Sequence, residues 1–277
     1  MDLHFVRPPP DVSAWVAMGV HLSFDTPGTR PVPCHFPALV EGGLSLVLEG
    51  KFFFQDPSGA FVALPAGFVS SARAVPLTLH RTPRLCLAGL RLHPAGTLGL
   101  LQSTPLSLAH QLADARDVFG CAWTRLAERI AEESVPEKRL SGLMAFARER
   151  LCQEAHRERL RTASRLQRAA LREATPQDAV GLSLRQFERV FAGHFGVGPK
   201  LFQRVARVEG LLRDALVTGT TDAGLALRHG YYDQSHMARD LRTLAGASLR
   251  QLAQSTRRPD SEHWALAVGT WMTAPRA

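Results

Sequence analysis

The sequence predicts an α+β protein with two domains, a β-rich N-terminal domain followed by an all-α C-terminal domain. Three observations support this fold class. The first hundred residues contain short apolar runs separated by turn residues, which is typical of antiparallel strands. The second half has apolar residues at helical spacing, in a pattern that occurs twice. The net positive charge of the chain is also carried entirely by that second half.

The distribution of charge indicates what the second half binds. Residues 1–140 contain 12 basic and 12 acidic residues, whereas the remaining 137 contain 21 basic and 13 acidic residues and carry the whole net charge of +8. A basic domain beside a neutral one indicates that one domain meets a polyanion. No apolar run is long enough for a membrane helix, and early prolines disfavour a signal peptide, so we expect a cytoplasmic protein.

Strand signals follow one another through the N-terminal domain. The runs LSLVL and KFFFQ flank Glu49-Gly50 and predict two strands joined by a tight turn. A second turn signal at residues 56–59 precedes FVALP and GFVS, and the run LCLAGLRLHP ends at Pro94. Short strands at this spacing predict a small antiparallel sandwich or barrel.

Helical patterns begin at about Thr104. The runs LSLAHQL and WTRLAERIAEE are amphipathic, and a third run after Pro136, EKRLSGLMAFARERLCQEAHRERL, has apolar residues at helical spacing. Two helices across this proline predict a helical hairpin. The hairpin would either join two copies of the chain or pack onto the sheet, and packing onto the sheet is the simpler role.

The N-terminal domain offers little catalytic or metal-binding chemistry. Its histidines and one neighbouring cysteine have no pairwise metal-ligand spacing: His21, Cys34, His35, His80 and His93. We therefore predict no metal, no cofactor and no catalytic residue. The tripeptide Pro33-Cys34-His35 resembles the site of DNA alkyl-transfer proteins, but nothing around it matches them. The four cysteines are expected to be free thiols.

The second half contains the same pattern twice, fifty positions apart. The segments GLSLRQFERVFAGHFGVGPKLF, from Gly181, and YYDQSHMARDLRTLAGASLRQL, from Tyr231, align without a gap. Ser183 and Asp233 are the candidate caps of the two helices. Leu184, Phe187, Phe191 and Phe195 should face inward in the first copy, and Met237, Leu241 and Leu244 in the second. Outward arginines in both copies predict a helix-turn-helix surface.

A stiff helix is predicted between the two copies, from Pro199 to about Val217, with a continuous apolar stripe. Before the second copy, TTDAGLALRHG predicts a short helix ended by Gly230. The first copy lacks a clean equivalent, because Pro176 interrupts the segment before it. That supporting helix should be short, or should start at Pro176 with Thr175 as its cap. We therefore expect the second copy to contribute the firmer half of recognition.

These residues carry a family resemblance. Residues 230–240 read GYYDQSHMARD and closely resemble the second helix-turn-helix of AraC/XylS-type transcription regulators, and residues 194–202, HFGVGPKLF, look like the segment before that family's linker helix. The β-rich domain with GLRLHPAG at 89–96 is similar to the cupin-like sensor domains of one branch of the family. The resemblance implies two units that enter successive major-groove segments of double-stranded promoter DNA, about 34 Å apart.

The resemblance also implies which residues contact DNA. Base-edge contacts fall on Arg185, Glu188 and Arg189 in the first unit and on Gln234, Ser235 and Arg239 in the second. Arg242 is expected to bind phosphate. The implied domains are 1–153 for sensing and 154–255 for DNA binding, with a tail, 256–277, left unassigned.

The sequence thus predicts a sequence-specific transcription regulator that is not an enzyme. Expected partners are promoter DNA, RNA polymerase, a second copy of the chain and a small-molecule effector, without a membrane. One alternative is a small-molecule or DNA alkyl-transfer enzyme that uses the C-terminal half for targeting. Another is an N-terminal domain that only dimerises and binds no ligand.

Overall fold

The computed structural model describes residues 1–101, 112–221, 223–256 and 262–266. Its strands are β1 (Asp2–Val6), β2 (Val16–Asp25), β3 (Val32–Phe36), β4 (Gly42–Glu49), β5 (Phe52–Gln55), β6 (Phe61–Ala63), β7 (Gly67–Ser70), β8 (Leu77–Arg81), β9 (Arg84–Leu92) and β10 (Leu112–Asp114). Its helices are α1 (Pro94–Leu101), α2 (Ala115–Phe119), α3 (Cys121–Glu132), α4 (Pro136–Leu151), α5 (Glu154–Arg172), α6 (Pro176–Ala179), α7 (Leu184–Phe195), α8 (Pro199–Thr218), α9 (Ala223–Arg228), α10 (Gln234–Ala245) and α11 (Leu249–Ser255). Across the described ranges, no helix combines the length and the apolar character that crossing a membrane requires.

The strands form two antiparallel sheets, as the sequence predicted. One sheet has six strands in the order β1-β2-β9-β4-β7-β10, and the other has four in the order β3-β8-β5-β6. Their inner faces share an apolar core that includes Leu22, Phe52, Leu79 and Leu85. This arrangement confirms an antiparallel β-rich first domain and an α+β fold.

The turn at Glu49-Gly50 differs from its prediction. Strands β4 and β5 do not pair, because β4 pairs with β7 and β9 while β5 pairs with β6 and β8. Gly50 has φ +79°, and a Cβ there would lie 2.3 Å from the Arg84 carbonyl oxygen, so only glycine fits. The turn carries the chain from one sheet to the other. The turn predicted at residues 56–59 does close a hairpin, between β5 and β6.

The helical hairpin packs onto the six-stranded sheet. Helices α3 and α4 flank Pro136, and α4 contacts β1, β2 and β9. Leu140 of α4 packs over Gly19 on β2, where a Cβ would lie 3.4 Å from the leucine, an ordinary van der Waals distance. The single helix predicted after Pro136 is broken at Cys152 into α4 and α5. The run LSLAHQL, predicted as helical, lies outside the described residues except for Leu112, which begins β10.

The C-terminal helices share one core with part of the β-rich domain. Phe191, Phe202 and Leu211 are fully buried in this core together with Ala38 and Leu98 from the N-terminal half. Residues 37–40 also reach α10 directly, where Ala38 N donates to the Leu244 carbonyl oxygen at 2.6 Å. The two halves are therefore packed against each other and not joined only by a linker.

Candidate nucleic-acid interface and sensor cavity

Helix α7 is the candidate recognition helix of the first unit. The Ser183 hydroxyl accepts from Gln186 N, and the Gln186 side chain accepts from Ser183 N at 3.0 Å, which completes the predicted capping box. Phe187, Phe191 and Phe195 are buried as predicted. The helix ends at Gly196 in the left-handed conformation, with φ 72°.

The predicted base-contacting residues of α7 lie on its open face. Arg185 and Arg189 are exposed, and Glu188 between them is half-buried. Leu184, which the sequence predicted to face inward, is instead 56% exposed. The reason is its position as the first residue of the helix, beyond the edge of the core.

Helix α10 is the candidate recognition helix of the second unit. The Asp233 carboxylate accepts from His236 N at 2.6 Å and caps the helix as predicted, and Gly246 ends it at φ 78°, just as Gly196 ends α7. The predicted contact residues share its exposed face: Gln234, Ser235, Arg239 and Arg242. The Arg239 Nε also donates to the Ser235 carbonyl oxygen at 3.4 Å.

The supporting helix of the first unit is short and begins at Pro176, as the sequence predicted. Helix α6 runs only from Pro176 to Ala179, with the proline at its first position. Thr175 takes the cap position, but its side chain makes no capping hydrogen bond. Helix α9 is also short, with six residues, and ends before Gly230 at φ 69°.

Sequence reasoning missed the contacts through which α8 holds the second unit. Arg204 donates to the Asp240 carboxylate at 2.7 Å, and Asp240 is buried in α10. Arg207 lies over the Tyr231 ring at 5.3 Å. The repeat contained a signal for the first pair, because the first copy has Val190 where the second has Asp240. A carboxylate at a position that is apolar in the other copy needs a partner.

Two exposed apolar residues also flank this surface. Tyr232, just before α10, is 90% exposed, and Leu184 starts α7. Single apolar residues are common on protein surfaces, so exposure alone assigns neither residue a role. An apolar side chain at the start of a recognition helix can contact a thymine methyl group. From the repeat, Leu184 was expected to face inward, and Tyr232 was given no role.

A second candidate site is a cavity of about 200 Å³ between the two sheets. Its walls are mostly apolar, and representative residues are Leu22, Phe36, Leu79 and Leu87. One end is closed by α8, which contributes Leu212 and Leu216, and by residues 264–266. The cavity therefore lies between the β-rich domain and the helix that connects the two DNA-binding units.

The polar groups of this cavity form an ionic cluster between the domains. Arg91 on β9 bonds the Glu41 carboxylate and lies 3.6 Å from Glu209 on α8, while Arg213 lies 3.8 Å from Glu209. Burial and the neighbouring Glu41 carboxylate raise the pKa of Glu209 to about 7. The Glu41 carboxyl is also buried, but the Arg91 guanidinium lowers its pKa to about 2.

Arg73 completes the cluster. Its side chain is buried, and its Nε has no hydrogen-bond partner among the described residues. Burial lowers its pKa to about 10, with Glu209 acting in the opposite direction. The cavity thus holds three guanidinium groups against two carboxyl groups, with an excess of positive charge.

The remaining candidate residues of the N-terminal half are separated by the fold. His21 lies beside Cys86 and Arg139, His35 beside Thr78 and Glu262, and His93 beside Glu41. Within the described ranges, no three metal-binding side chains come together. Cys34 is fully buried, and burial raises the pKa of its thiol.

Two capped recognition helices with exposed basic faces define a helix-turn-helix protein. Residues 177–255 match the family model described as "Helix-turn-helix domain". This match shows a helix-turn-helix domain, which supports a DNA-binding transcription regulator. No curated protein matches the chain.

Solved structures similar to the chain include several of ToxT from Vibrio cholerae. A ToxT complex with (E)-4-(8-methylnaphthalen-1-yl)but-3-enoic acid is 8% identical over 84% of this chain and 98% of that one, with a TM-score of 0.48. An apo ToxT variant is 10% identical over 85% and 97%, with a TM-score of 0.47. Wild-type ToxT with bound unsaturated fatty acid is 9% identical over 85% and 94%, with a TM-score of 0.46.

Proposed function

We propose that this regulator reads two successive major-groove segments of promoter DNA, one with each recognition helix. Base edges are contacted by Arg185, Glu188 and Arg189 in the first unit and by Gln234, Ser235 and Arg239 in the second, and Arg242 binds phosphate. The observation that carries the proposal is the matched pair of capped helices, whose exposed faces hold these residues. Arginine pairs with guanine through two hydrogen bonds, which gives sequence specificity.

The test uses an operator selected from random DNA by the full-length chain. Arg239→Ala should weaken operator binding by about 1–3 kcal/mol and affect random DNA less, because a base contact is lost. Arg125→Ala is a matched control, since Arg125 is an exposed arginine on α3. Fluorescence anisotropy at several salt concentrations measures both affinities. Equal losses on operator and random DNA would show that Arg239 binds only the backbone.

We further propose that the cavity binds a small effector with an apolar body and one acidic group. The apolar walls favour the body. The excess of guanidinium groups, and Arg73 with its unpartnered Nε, favour an anion. An effector placed there would touch both the sandwich and α8, which is the route to the DNA-binding units.

A series of three ligands with the same eight-carbon chain tests the charge preference. Calorimetry should find octanoate binding more tightly than octanol or octylamine. Arg73→Leu should remove that preference, whereas Arg84→Leu should keep it, because Arg84 is exposed and away from the cavity. If octylamine binds most tightly, the cavity prefers a cation and the proposal of an acidic effector is wrong. Absence of binding for all three would favour a scaffold without a ligand.

The N-terminal domain is proposed to lack enzymatic activity. An alkyl-accepting cysteine must be reached by DNA and must react as a thiolate. Cys34 is fully buried and burial raises the pKa of its thiol, and both observations oppose that chemistry. Cys34→Ser should therefore leave DNA binding unchanged, and loss of an alkyl-transfer activity in this variant would revive the enzyme alternative.

The remaining parts of the proposal follow the family resemblance. We propose a sensing domain at 1–153 and a DNA-binding domain at 154–255, since the chain turns between α4 and α5 at residues 152–153. A homodimer, contact with RNA polymerase and a cytoplasmic location beside the chromosomal DNA stay predictions. Sedimentation with and without operator DNA measures the first of these.

A further inference from the structure

The C-terminal segment 262–266 joins the cores of both domains. Trp264 is buried in the core of the β-sandwich, although it follows the DNA-binding helices in sequence. Two residues later, Leu266 belongs to the core of the C-terminal helices. This short segment thus places Trp264 in the core of the β-sandwich and Leu266 in the core of the C-terminal helices.

Trp264 fills one end of the sandwich. Its ring meets Phe24 on β2 at 5.3 Å and Phe36 on β3 at 5.5 Å, both edge to face, so it contacts a strand of each sheet. The fully buried Cys34 belongs to the same core. Trp264 also lines the cavity described above, as do Ala265 and Leu266. The space that the Trp264 ring occupies is called the slot below. Removal of the indole would join this slot to the cavity.

Few polar contacts hold the segment 262–266 in place. His35 N on β3 donates to the Glu262 carbonyl oxygen at 2.7 Å, and β3 is an edge strand whose outer side would otherwise lack a neighbour. The His35 ring lies 3.3 Å from the Glu262 carboxylate, but both side chains are partly exposed. Exposed pairs of this kind contribute little to stability.

The slot matches the tryptophan in shape but not in hydrogen bonding. The indole Nε1 is buried and forms no hydrogen bond to a nitrogen or oxygen of a described residue. It does interact with the Cys34 sulfur, which is only a weak acceptor. A buried tryptophan normally finds an acceptor for this group, and leaving it unpaired has a cost. A purely apolar group would occupy the same slot without that cost.

We propose that the segment 262–266 is a displaceable internal occupant of the sensor sandwich, which competes with the effector and releases the DNA-binding half when the effector enters. The inference rests on the proposed effector cavity and deepens it. An apolar ligand body that extends into the slot expels Trp264. Leu266 then loses its fixed place against the C-terminal core, and one connection between the two domains is broken.

The fraction of molecules in which the segment 262–266 is docked determines how far the Trp264 substitutions change the affinity for octanoate. A ligand that binds only the open form has its apparent affinity reduced by the fraction of molecules that are open. Trp264→Ala should therefore tighten octanoate binding by on the order of tenfold or more. Trp264→Phe keeps an aromatic ring in the slot and should stay within about threefold of the native chain.

Reactivity of Cys34 reports displacement without any change at Trp264. In a chain with Cys86→Ser, Cys121→Ser and Cys152→Ser, Cys34 is the remaining thiol of the four. Its labelling by a maleimide should be slow. Saturating octanoate should accelerate it on the order of tenfold, because the released segment no longer closes this end of the sandwich and a flexible eight-carbon chain shields the thiol less completely than the packed indole. Trp264→Ala in the same background should label rapidly without ligand.

The outcomes separate the inference from the proposed effector. If octanoate binds by calorimetry but leaves Cys34 labelling unchanged, the segment is a fixed part of the fold and the inference is wrong, while the effector site stands. Binding to the Trp264→Ala chain alone supports the inference, since it means that the segment blocks the native site. If neither chain binds octanoate, the effector proposal fails and the inference falls with it.

Discussion

The two helix-turn-helix units have the same frame but are held in place by different forces. In the first, α7 is fixed by a cluster of phenylalanine rings, in which Phe191 meets Phe195 at 4.6 Å and Phe202 at 5.1 Å. In the second, α10 is tied to α8 by the Arg204–Asp240 pair and by Arg207 over Tyr231. Repetition of a backbone pattern therefore does not imply repetition of the stabilising contacts.

The two units also differ in the kind of contact that each makes with the sensing half. Helix α1 packs against α7, and Leu98 of α1 shares the apolar core of the C-terminal helices. The second unit receives a polar contact, from Ala38 N to the Leu244 carbonyl at the end of α10, where helix carbonyls lack partners within the helix. We expect the second unit to respond more readily to changes in the sensing half.

The largest expected effect distinguishes the apolar packing of the two units. Phe191→Ala should lower the free energy of unfolding by about 3–5 kcal/mol, because it removes a fully buried ring from an aromatic cluster. Leu241→Ala, its counterpart in α10, should cost about 2–3 kcal/mol. Urea denaturation followed by circular dichroism measures both, with the exposed Leu171→Ala as control. A larger loss at Leu241 would contradict the assignment of apolar packing to the first unit.

The ion pair of the second unit should respond unequally to removal of its partners. Arg204→Ala leaves the buried Asp240 carboxylate without its cation and should cost about 3 kcal/mol. Asp240→Val introduces the residue of the first copy and should cost less than about 1 kcal/mol, since the half-exposed Arg204 returns to water. Denaturation in low and high salt measures the difference. Equal losses in the two variants would mean that the pair does not control the second unit.

DNA binding should distinguish the units by half-site. Arg189→Ala and Arg239→Ala should each weaken operator binding by about 1–3 kcal/mol, with the larger loss at Arg239. Each variant should lose discrimination only at the half-site read by its own unit, measured with operators in which one half-site is scrambled. Arg242→Ala serves as comparison, because loss of a phosphate contact weakens operator and random DNA alike. A larger loss at Arg189 would reverse the expected order of the units.

Local patterns predicted most of the helical half from the sequence. The caps Ser183 and Asp233 depend on neighbouring residues only, and both lie where the repeat placed them. The left-handed Gly196 and Gly246 end the two helices at equivalent positions of the repeat. The turn at Gly50 was misassigned, because a tight turn between two strands looks the same whether they pair or enter different sheets. Pairing between distant strands is not encoded in a local pattern.

The cavity and its charges could not be predicted from the sequence. Glu41, Arg91 and Glu209 are far apart in the chain and meet only when α8 packs on the sandwich. The tail had no recognisable pattern, yet Trp264 lies in the sandwich core. Such contacts between domains depend on tertiary packing and leave little trace in local spacing.

The smallest expected effect concerns pH and the attachment of α8, the helix that connects the two units. Burial raises the pKa of Glu209 to about 7 in the folded chain, above its ordinary value of 4.5. Between these values the folded state holds a proton that the unfolded state has lost, so stability falls as the pH rises through this range. The change between pH 6 and pH 7 should be about 1 kcal/mol.

Glu209→Gln should remove this dependence, since glutamine imitates the protonated carboxyl at every pH. The variant should resemble the native chain near pH 5 and exceed it in stability above pH 7, as measured by thermal unfolding across that range. Glu188→Gln is a suitable control, because Glu188 is partly exposed on α7 and does not line the cavity. The Glu41 carboxyl does not titrate in this window, because Arg91 lowers its pKa to about 2. A pH dependence that survives in Glu209→Gln would place the titrating group elsewhere and would leave α8 insensitive to pH.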